Sequence, residues 1–228
     1  MVDYSTLRNK VLFLVLTCGK YRDRIDTFHN IIGPHVDCIF CSDHVDVSKN
    51  VLSFSNSTDY NSNEEKQINA ANSLKTIVSE KTGKCLLESY EWFFFCDCDT
   101  FVNLKKINSI IDAFDHNVVY GHLINIEKYP QNPIFVNPTI PIGFEYLSGG
   151  VGFIASRQVI SKVDIFKNYQ TNYADVSMGL NWHYNNIKVK NLGNDVIGCH
   201  LNGQTALMEI GCQTIFQAMT YLNELNNV

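Results

Sequence analysis

The sequence predicts an α/β fold in which a mainly parallel central sheet is flanked by helices. Continuous apolar runs of strand length recur at VLFLVLT (11–17), VDCIFCS (36–42), EWFFFCD (91–97) and VVYGHL (118–123). Such runs suit strands buried on both faces. Between them lie segments with helical spacing of apolar residues, at 21–32, 64–83 and 104–115. Alternating strand and helix puts crossover helices on the faces of one sheet. The 228 residues, 45% hydrophobic and 18% charged, are enough for a sizeable core in one domain.

The first strand follows a polar start, MVDYSTLRNK. Its apolar run is too short for a signal segment or a membrane span, so the expected protein is soluble or cytoplasmic. YRDRIDTFHNII (21–32) reads as a helix closed by Gly33-Pro34. Residues 50–63 are polar and read as loop, apart from a short strand at Val51–Phe54. In 64–83, Ala70, Ala71, Leu74, Ile77 and Val78 share one helical face, and Gly83 supplies the stop. LKKINSIIDAFD (104–115) is the next helix.

Residues 124–142 hold four of the five prolines and read as a long surface loop, of the kind that covers substrates in α/β enzymes. FEYLSGGVGFIASR (144–157) reads as strand, glycine turn, strand and a helix start at Ser156. Helices over 175–184 and 214–225 complete the chain. The last has Ile215, Phe216, Met219 and Leu222 on one face.

The net charge of −5 argues against a nucleic-acid partner, which needs a concentrated basic surface. A small anionic ligand remains compatible, because one local cation or metal serves it. Among eight cysteines, Cys18, Cys38, Cys41, Cys96 and Cys199 sit inside apolar runs. They read as free thiols behaving as small hydrophobes. Asn56-Ser57-Thr58 matches a glycosylation sequon, which without an export signal reads as chance.

The chemistry concentrates in FFFCDCDTFVN (93–103). Asp97 and Asp99 sit at the carboxyl end of a buried strand, where ligands bind in parallel α/β sheets. Residues i and i+2 of a strand share a side. Two close carboxylates repel unless a cation lies between them. A hard divalent ion that also holds diphosphate suits that pair. The alternative is a capping pair, with Asp99 or Thr100 starting a helix. The spacing divides the two evenly. A thiolate zinc site from Cys38-x-x-Cys41 and Cys96-x-Cys98 is weaker. Positions i and i+3 of a strand point to opposite faces, whereas zinc pairs sit on a tight knuckle.

EWFFFCDCDTFVN resembles the "W-F-x-x-D-D-D-x-Y-V-N" strand and metal motif of Fringe-like β-1,3-glycosyltransferases. YLSGGVGFIASR is similar to that family's "G-G-A-G-F-x-x-S-R" block, and YADVSMGL to its "D-D-V-x-x-G" block. IGCHLN resembles the block carrying its C-terminal histidine. VLFLVLTCGKYRDRIDTF with IFCSD resembles the opening strand, arginine-bearing helix and second strand, and EEKQINAANSL the lysine-bearing helix. These blocks run in family order over residues 10 to 202.

The resemblance implies a single GT-A type nucleotide-sugar transferase domain over 1–228. Residues 10–123 would form its nucleotide-sugar-binding half and 124–228 its acceptor half. It implies a UDP-sugar donor, Mn²⁺ or Mg²⁺, a glycan, glycoprotein or other hydroxyl acceptor, and inversion at the anomeric carbon. In that reading Asp99 ligates the metal with His200, and Asp97 lies by the ribose and diphosphate and completes the acidic pair. Cys98 stands where the family has its middle acid. Asp175 matches the catalytic base, with Ala174 replacing the acid before it. Its alternative role is to cap the helix 175–184. Ser148, Gly149, Gly150 and Gly152 form the floor. Thr17, Arg24, Asp43 and Lys66 are nucleotide and diphosphate candidates, with solvated helix charge the alternative for Arg24 and Lys66. Trp182 and His183 would border the acceptor cleft, although Trp182 suits a core position better. The rival to catalysis is an inactive relative that binds UDP-sugar or glycan, motivated by Ala174 and Cys98.

Overall fold

A computed structural model describes residues 4–58, 62–126, 140–141, 143–193, 196–200 and 222, the last two ranges including His200 by its backbone only. The predicted helix 214–225, except Leu222, and most of the predicted loop 124–142 lie outside the described residues.

A short helix, α1 (Ser5–Lys10), precedes the first strand β1 (Val11–Leu16). The sequence gives little sign of it, because Leu7 is the only residue it buries. A 3-10 turn at Gly19–Tyr21 leads into α2 (Arg22–Ile31), followed by β2 (Asp37–Ser42) and β3 (Val51–Ser53). Gly33 ends α2 as expected: a Cβ there would stand 2.4 Å from the His29 carbonyl oxygen.

Helix α3 covers Ser62–Ser73, not the whole of 64–83. The Leu74 and Ile77 carbonyls accept from the Leu87 and Leu86 amides at 2.8 Å, so they are lost to the helical ladder. The chain instead makes a turn closed by a bridge between Val78 and Cys85, then the short α4 (Leu86–Ser89). Gly83 occupies that turn at φ +68°, and Val78 is exposed rather than part of an apolar helix face.

Strand β4 (Trp92–Asp97) carries Phe93, Phe94 and Phe95, each essentially inaccessible. Each such ring contributes about 1.5–3 kcal/mol by leaving water. β5 (Thr100–Val102) and α5 (Leu104–Ile110) follow, and a 3-10 turn finishes the predicted helix 104–115. The predicted strand 118–123 divides at His122 into β6 (Val118–Gly121) and β7 (Leu123–Asn125). Beyond them lie β8 (Glu145–Leu147), β9 (Phe153–Ser156), α6 (Arg157–Lys162), α7 (Ala174–Tyr184), β10 (Lys188–Asn191) and β11 (Gly198–His200).

Seven strands form the main sheet, in the order β10-β6-β9-β4-β1-β2-β3. All its pairs are parallel except those made by β9, which runs against both β4 and β6. The predicted mainly parallel α/β sheet is therefore present. β8 and β9 do not pair with each other; β8 pairs with β7 in a separate small sheet. Strand alternation distributes the core to both faces. Val11, Phe13, Val15, Trp92, Phe94 and Cys96 join the cluster under α2 and α5. Leu12, Leu14, Leu16, Phe93 and Phe95 join the cluster under α3, α6 and α7. β6 exits the sheet where β9 enters it, and Gly121 and Phe153 are register partners.

Candidate active site

Asp97 ends β4, beside Leu16 at the end of β1. It is one wall of a cleft that also includes Gln67 of α3, the Ser148–Gly150 loop and Asp175 of α7. Because β9 is antiparallel, the glycine loop before it arrives at the edge where β4 exits. Thr100 ties these two loops together. Its hydroxyl donates to the Gly150 carbonyl at 2.8 Å and accepts from the Asp97 amide at 3.1 Å.

Asp175 faces this loop. Its Oδ2 accepts from the Gly149 amide at 3.1 Å and its Oδ1 from the Val176 amide at 2.9 Å. The cap of α7 is Tyr173, so Asp175 lies within the first turn and is not the helix cap. Gly149 is closely approached, since a Cβ there would stand 3.3 Å from the Asp175 Cβ and Asp175 would have to give by a few tenths of an ångström. Gly152 has φ +91°, and a Cβ there would meet the Phe94 ring at 2.6 Å.

Asp99 is not on the cleft wall. It is 3% exposed and its Oδ2 accepts from Arg24 Nη1 at 2.8 Å. The strand argument for two carboxylates facing together stops at Asp97, where β4 ends and the chain turns. The Arg24 guanidinium also stacks over the Tyr21 ring at 4.0 Å. His200 ends β11, and its backbone is the register partner of Thr100, the residue after Asp99. Its side chain lies outside what is described. Among the described residues, no three His, Cys, Asp or Glu side chains stand together as a ready metal cluster.

Cys98 is buried and belongs to the core cluster that includes Val15, Cys96 and Phe101, so it does not serve as an exposed nucleotide-binding position. Burial, reinforced by the Asp99 charge, pushes its thiol up to about 12. Burial likewise raises Cys38 and Cys41, which sit in different clusters on opposite sheet faces. That geometry separates the two as partners for one zinc ion.

Thr17 and Asp43 flank the same sheet edge. The Thr17 amide continues pairing to the Cys41 carbonyl at 3.0 Å, and its buried hydroxyl interacts with the Cys98 thiol, opposing the upward push of burial on that thiol. Asp43 Oδ1 accepts from the Gly19 amide at 2.7 Å and the Ser42 hydroxyl at 3.1 Å, while Oδ2 is buried without a partner. Burial works to raise this carboxyl, but the bonds from Gly19, Ser42 and His44 together hold it below its ordinary value.

Lys66 is fully buried and its Nζ has no partner. It is therefore not a solvated helix charge. A buried amine without a partner carries a desolvation cost that a ligand group can relieve. Trp182 belongs to the core, edge-on to Phe166 at 5.3 Å, whereas His183 packs edge-on to Phe144. Sequence reasoning missed Asn63, Gln67, Asn172 and Tyr173, which also line the cleft. Gln67 adjoins the lysine that drew notice, and its i, i+4 spacing from Asn63 was the available signal.

These features define an α/β protein with an acidic cleft at the carboxyl edge of its sheet. Residues 6–191 match the Fringe-like family, and the chain belongs to it. Membership supports glycosyl transfer as the class of activity. No curated protein matches significantly. Among solved structures, the inositol-1-phosphate CTP transferase from T. maritima is similar over 93% of this chain and 77% of its own, at 13% identity and a TM-score of 0.42. That likeness carries no argument about chemistry. Among the described residues, no helix is long and apolar enough to cross a membrane.

Proposed function

We propose that the protein transfers a sugar from a UDP-sugar to an acceptor hydroxyl with inversion, Asp175 being the general base. The observation that carries this reading is the Asp175–Gly149 hydrogen bond, which fixes one carboxylate on the cleft that Asp97 also lines. A sugar lying between them would have its diphosphate toward Asp97 and its other face toward Asp175. Inversion needs a proton acceptor on the face opposite the departing diphosphate.

The donor set of Asp97, Asp99 and His200, oxygen and imidazole, fits Mn²⁺ or Mg²⁺ in chemistry. Such an ion would supply charge stabilisation to the leaving UDP. Arg24 must release at least part of its hold on Asp99 for that set to act, and its guanidinium is then available to the diphosphate. Lys66 supplies a second positive charge, and its lack of a partner supports an anionic ligand. Asp43 and Thr17 are our candidates for the nucleoside, Asp43 having one buried unpartnered oxygen and Thr17 ending the first strand beside it. The Gly149 and Val176 amides orient Asp175 toward an acceptor hydroxyl, whose glycan or glycoprotein would approach from the 124–228 half of what we read as one domain.

UDP release from a UDP-sugar panel with Mn²⁺ tests this. Turnover that falls in Asp175→Asn while UDP binding persists is the expected result. Binding of UDP with equal, negligible turnover in both proteins favours a second reading, a binding module without catalysis. The Arg24 hold on Asp99 and the buried Cys98 motivate that second reading.

A further inference from the structure

We propose that Gln67 reads a hydroxyl of the transferred sugar and so sets which UDP-sugar the cleft accepts, an inference that rests on the donor reading above. Gln67 is 4% exposed and lines the cleft that Asp97 and Asp175 also line, where the sugar would lie. Its Oε1 is buried and has no hydrogen-bond partner. A polar atom removed from water without a partner carries a desolvation penalty, which a ligand group can relieve.

The chemistry of that group follows from the wall around it. Asn63, one turn earlier on α3, and Asn172, on the segment before α7, also line the cleft. All three are neutral amides, each able to donate to and accept from a hydroxyl, the two-way pairing that a sugar offers. The cations Arg24 and Lys66 are separate from this set. The terminal torsion of a glutamine is broad, so rotation can present either its carbonyl or its NH₂ to a sugar.

The wall is fixed in place. Glu64, one turn before Gln67 on α3, accepts from the Asn172 amide at 2.8 Å through Oε2. That bond joins α3 to the segment that delivers Asp175. Asn172 is held at φ +64°, in the left-handed region. Gln67 therefore keeps a set distance from the base, as a group that discriminates between epimeric hydroxyls must.

The test compares wild type with Gln67→Leu and the shorter Gln67→Asn, using UDP, UDP-glucose, UDP-galactose, UDP-N-acetylglucosamine and UDP-N-acetylgalactosamine with Mn²⁺. Calorimetry gives affinity, UDP release gives kcat/KM, and circular dichroism identifies whichever variant folds. We expect UDP affinity to change less than twofold. The kcat/KM ratio between the preferred sugar and its nearest competitor should fall about tenfold or more, as when a site loses a hydrogen bond to a substrate hydroxyl. An unchanged ratio in a folded, active variant overturns the role of Gln67 and leaves the donor reading standing. Equal loss for UDP and UDP-sugar overturns it too. A wild type that neither binds UDP nor turns over any sugar removes the donor reading itself, and the role of Gln67 with it.

Discussion

Arg24 Nη1 lies 2.8 Å from Asp99 Oδ2, so an acid proposed to hold a metal already carries a cation. A metal and Arg24 would then compete for one carboxylate. Arg24→Ala should tighten Mn²⁺ binding without nucleotide by about threefold to tenfold and weaken UDP binding in Mn²⁺ by a similar factor. Titration calorimetry with Mn²⁺ alone, then with UDP, measures both. Weaker Mn²⁺ binding in the variant would mean that Arg24 organises Asp99 for the ion. The variant should also lose about 1–3 kcal/mol of stability, because the buried Asp99 loses the charged Arg24 donor.

Asp175→Asn keeps one acceptor oxygen, enough for the Gly149 or the Val176 amide but not both, while removing the proton acceptor. Transfer should fall about 10²–10⁴-fold, the usual contribution of a positioned base. UDP affinity and melting temperature should change little. A variant retaining a tenth or more of wild-type turnover would assign the base elsewhere.

Two glycines separate site from scaffold. At Gly149 an added methyl meets Asp175 at 3.3 Å, so Gly149→Ala should lower kcat about tenfold and leave the fold intact. At Gly152 it meets the Phe94 ring at 2.6 Å with φ at +91°. Gly152→Ala should therefore cost about 2–4 kcal/mol, from overpacking and left-handed strain together. Chemical denaturation alongside a UDP-release assay distinguishes the two effects.

Cys98 links the core to alkaline pH. Its thiol is pushed up from 9.0 to about 12, chiefly by burial. Between those values the unfolded chain loses this proton and the folded chain keeps it. Stability from this group is thus full below pH 9 and is lost as pH rises toward 12. The slope is about −1.4 kcal/mol per pH unit for one thiol. Cys98→Ser should flatten the stability curve in that window, and native Cys98 should resist alkylation at pH 8. Cys98→Asp, which installs the family's acid, should lower stability by about 2–4 kcal/mol without metal, because the carboxylate would replace a core thiol.

The sheet was legible because its signal is local: Phe93–Phe95 and the run 11–16 can be little other than buried strand. The reversed direction of β9 was not, since Phe153–Ser156 reads the same in either orientation and only the pairing to β4 and β6 decides it. The end of α3 was misjudged for a comparable reason. Apolar spacing continues through Ile77, but the Leu86 and Leu87 amides take the carbonyls the helix would need. Asp97, Asp175, Gly149 and Gly150, which the ordered blocks single out, line one cleft in the structure. Sequence reasoning did not find that Asp99 turns to Arg24 or that Lys66 is sealed in, since both depend on which face of a helix meets the sheet edge.

Gly121 and Phe153 meet as neighbours in the sheet, so everything from 122 to 152 leaves and returns through one doorway. Closing such a loop grows costlier only slowly with length. Ile126, Phe144 and Tyr146 of this stretch pack with Val176 and Leu180 of α7, the helix that carries Asp175. Its last residues are the Ser148–Gly152 turn, whose Gly149 amide bonds Asp175 directly. Changes made within the excursion therefore reach Asp175 by two routes, the apolar face of α7 and the turn, while β4, β6 and β9 keep their pairing.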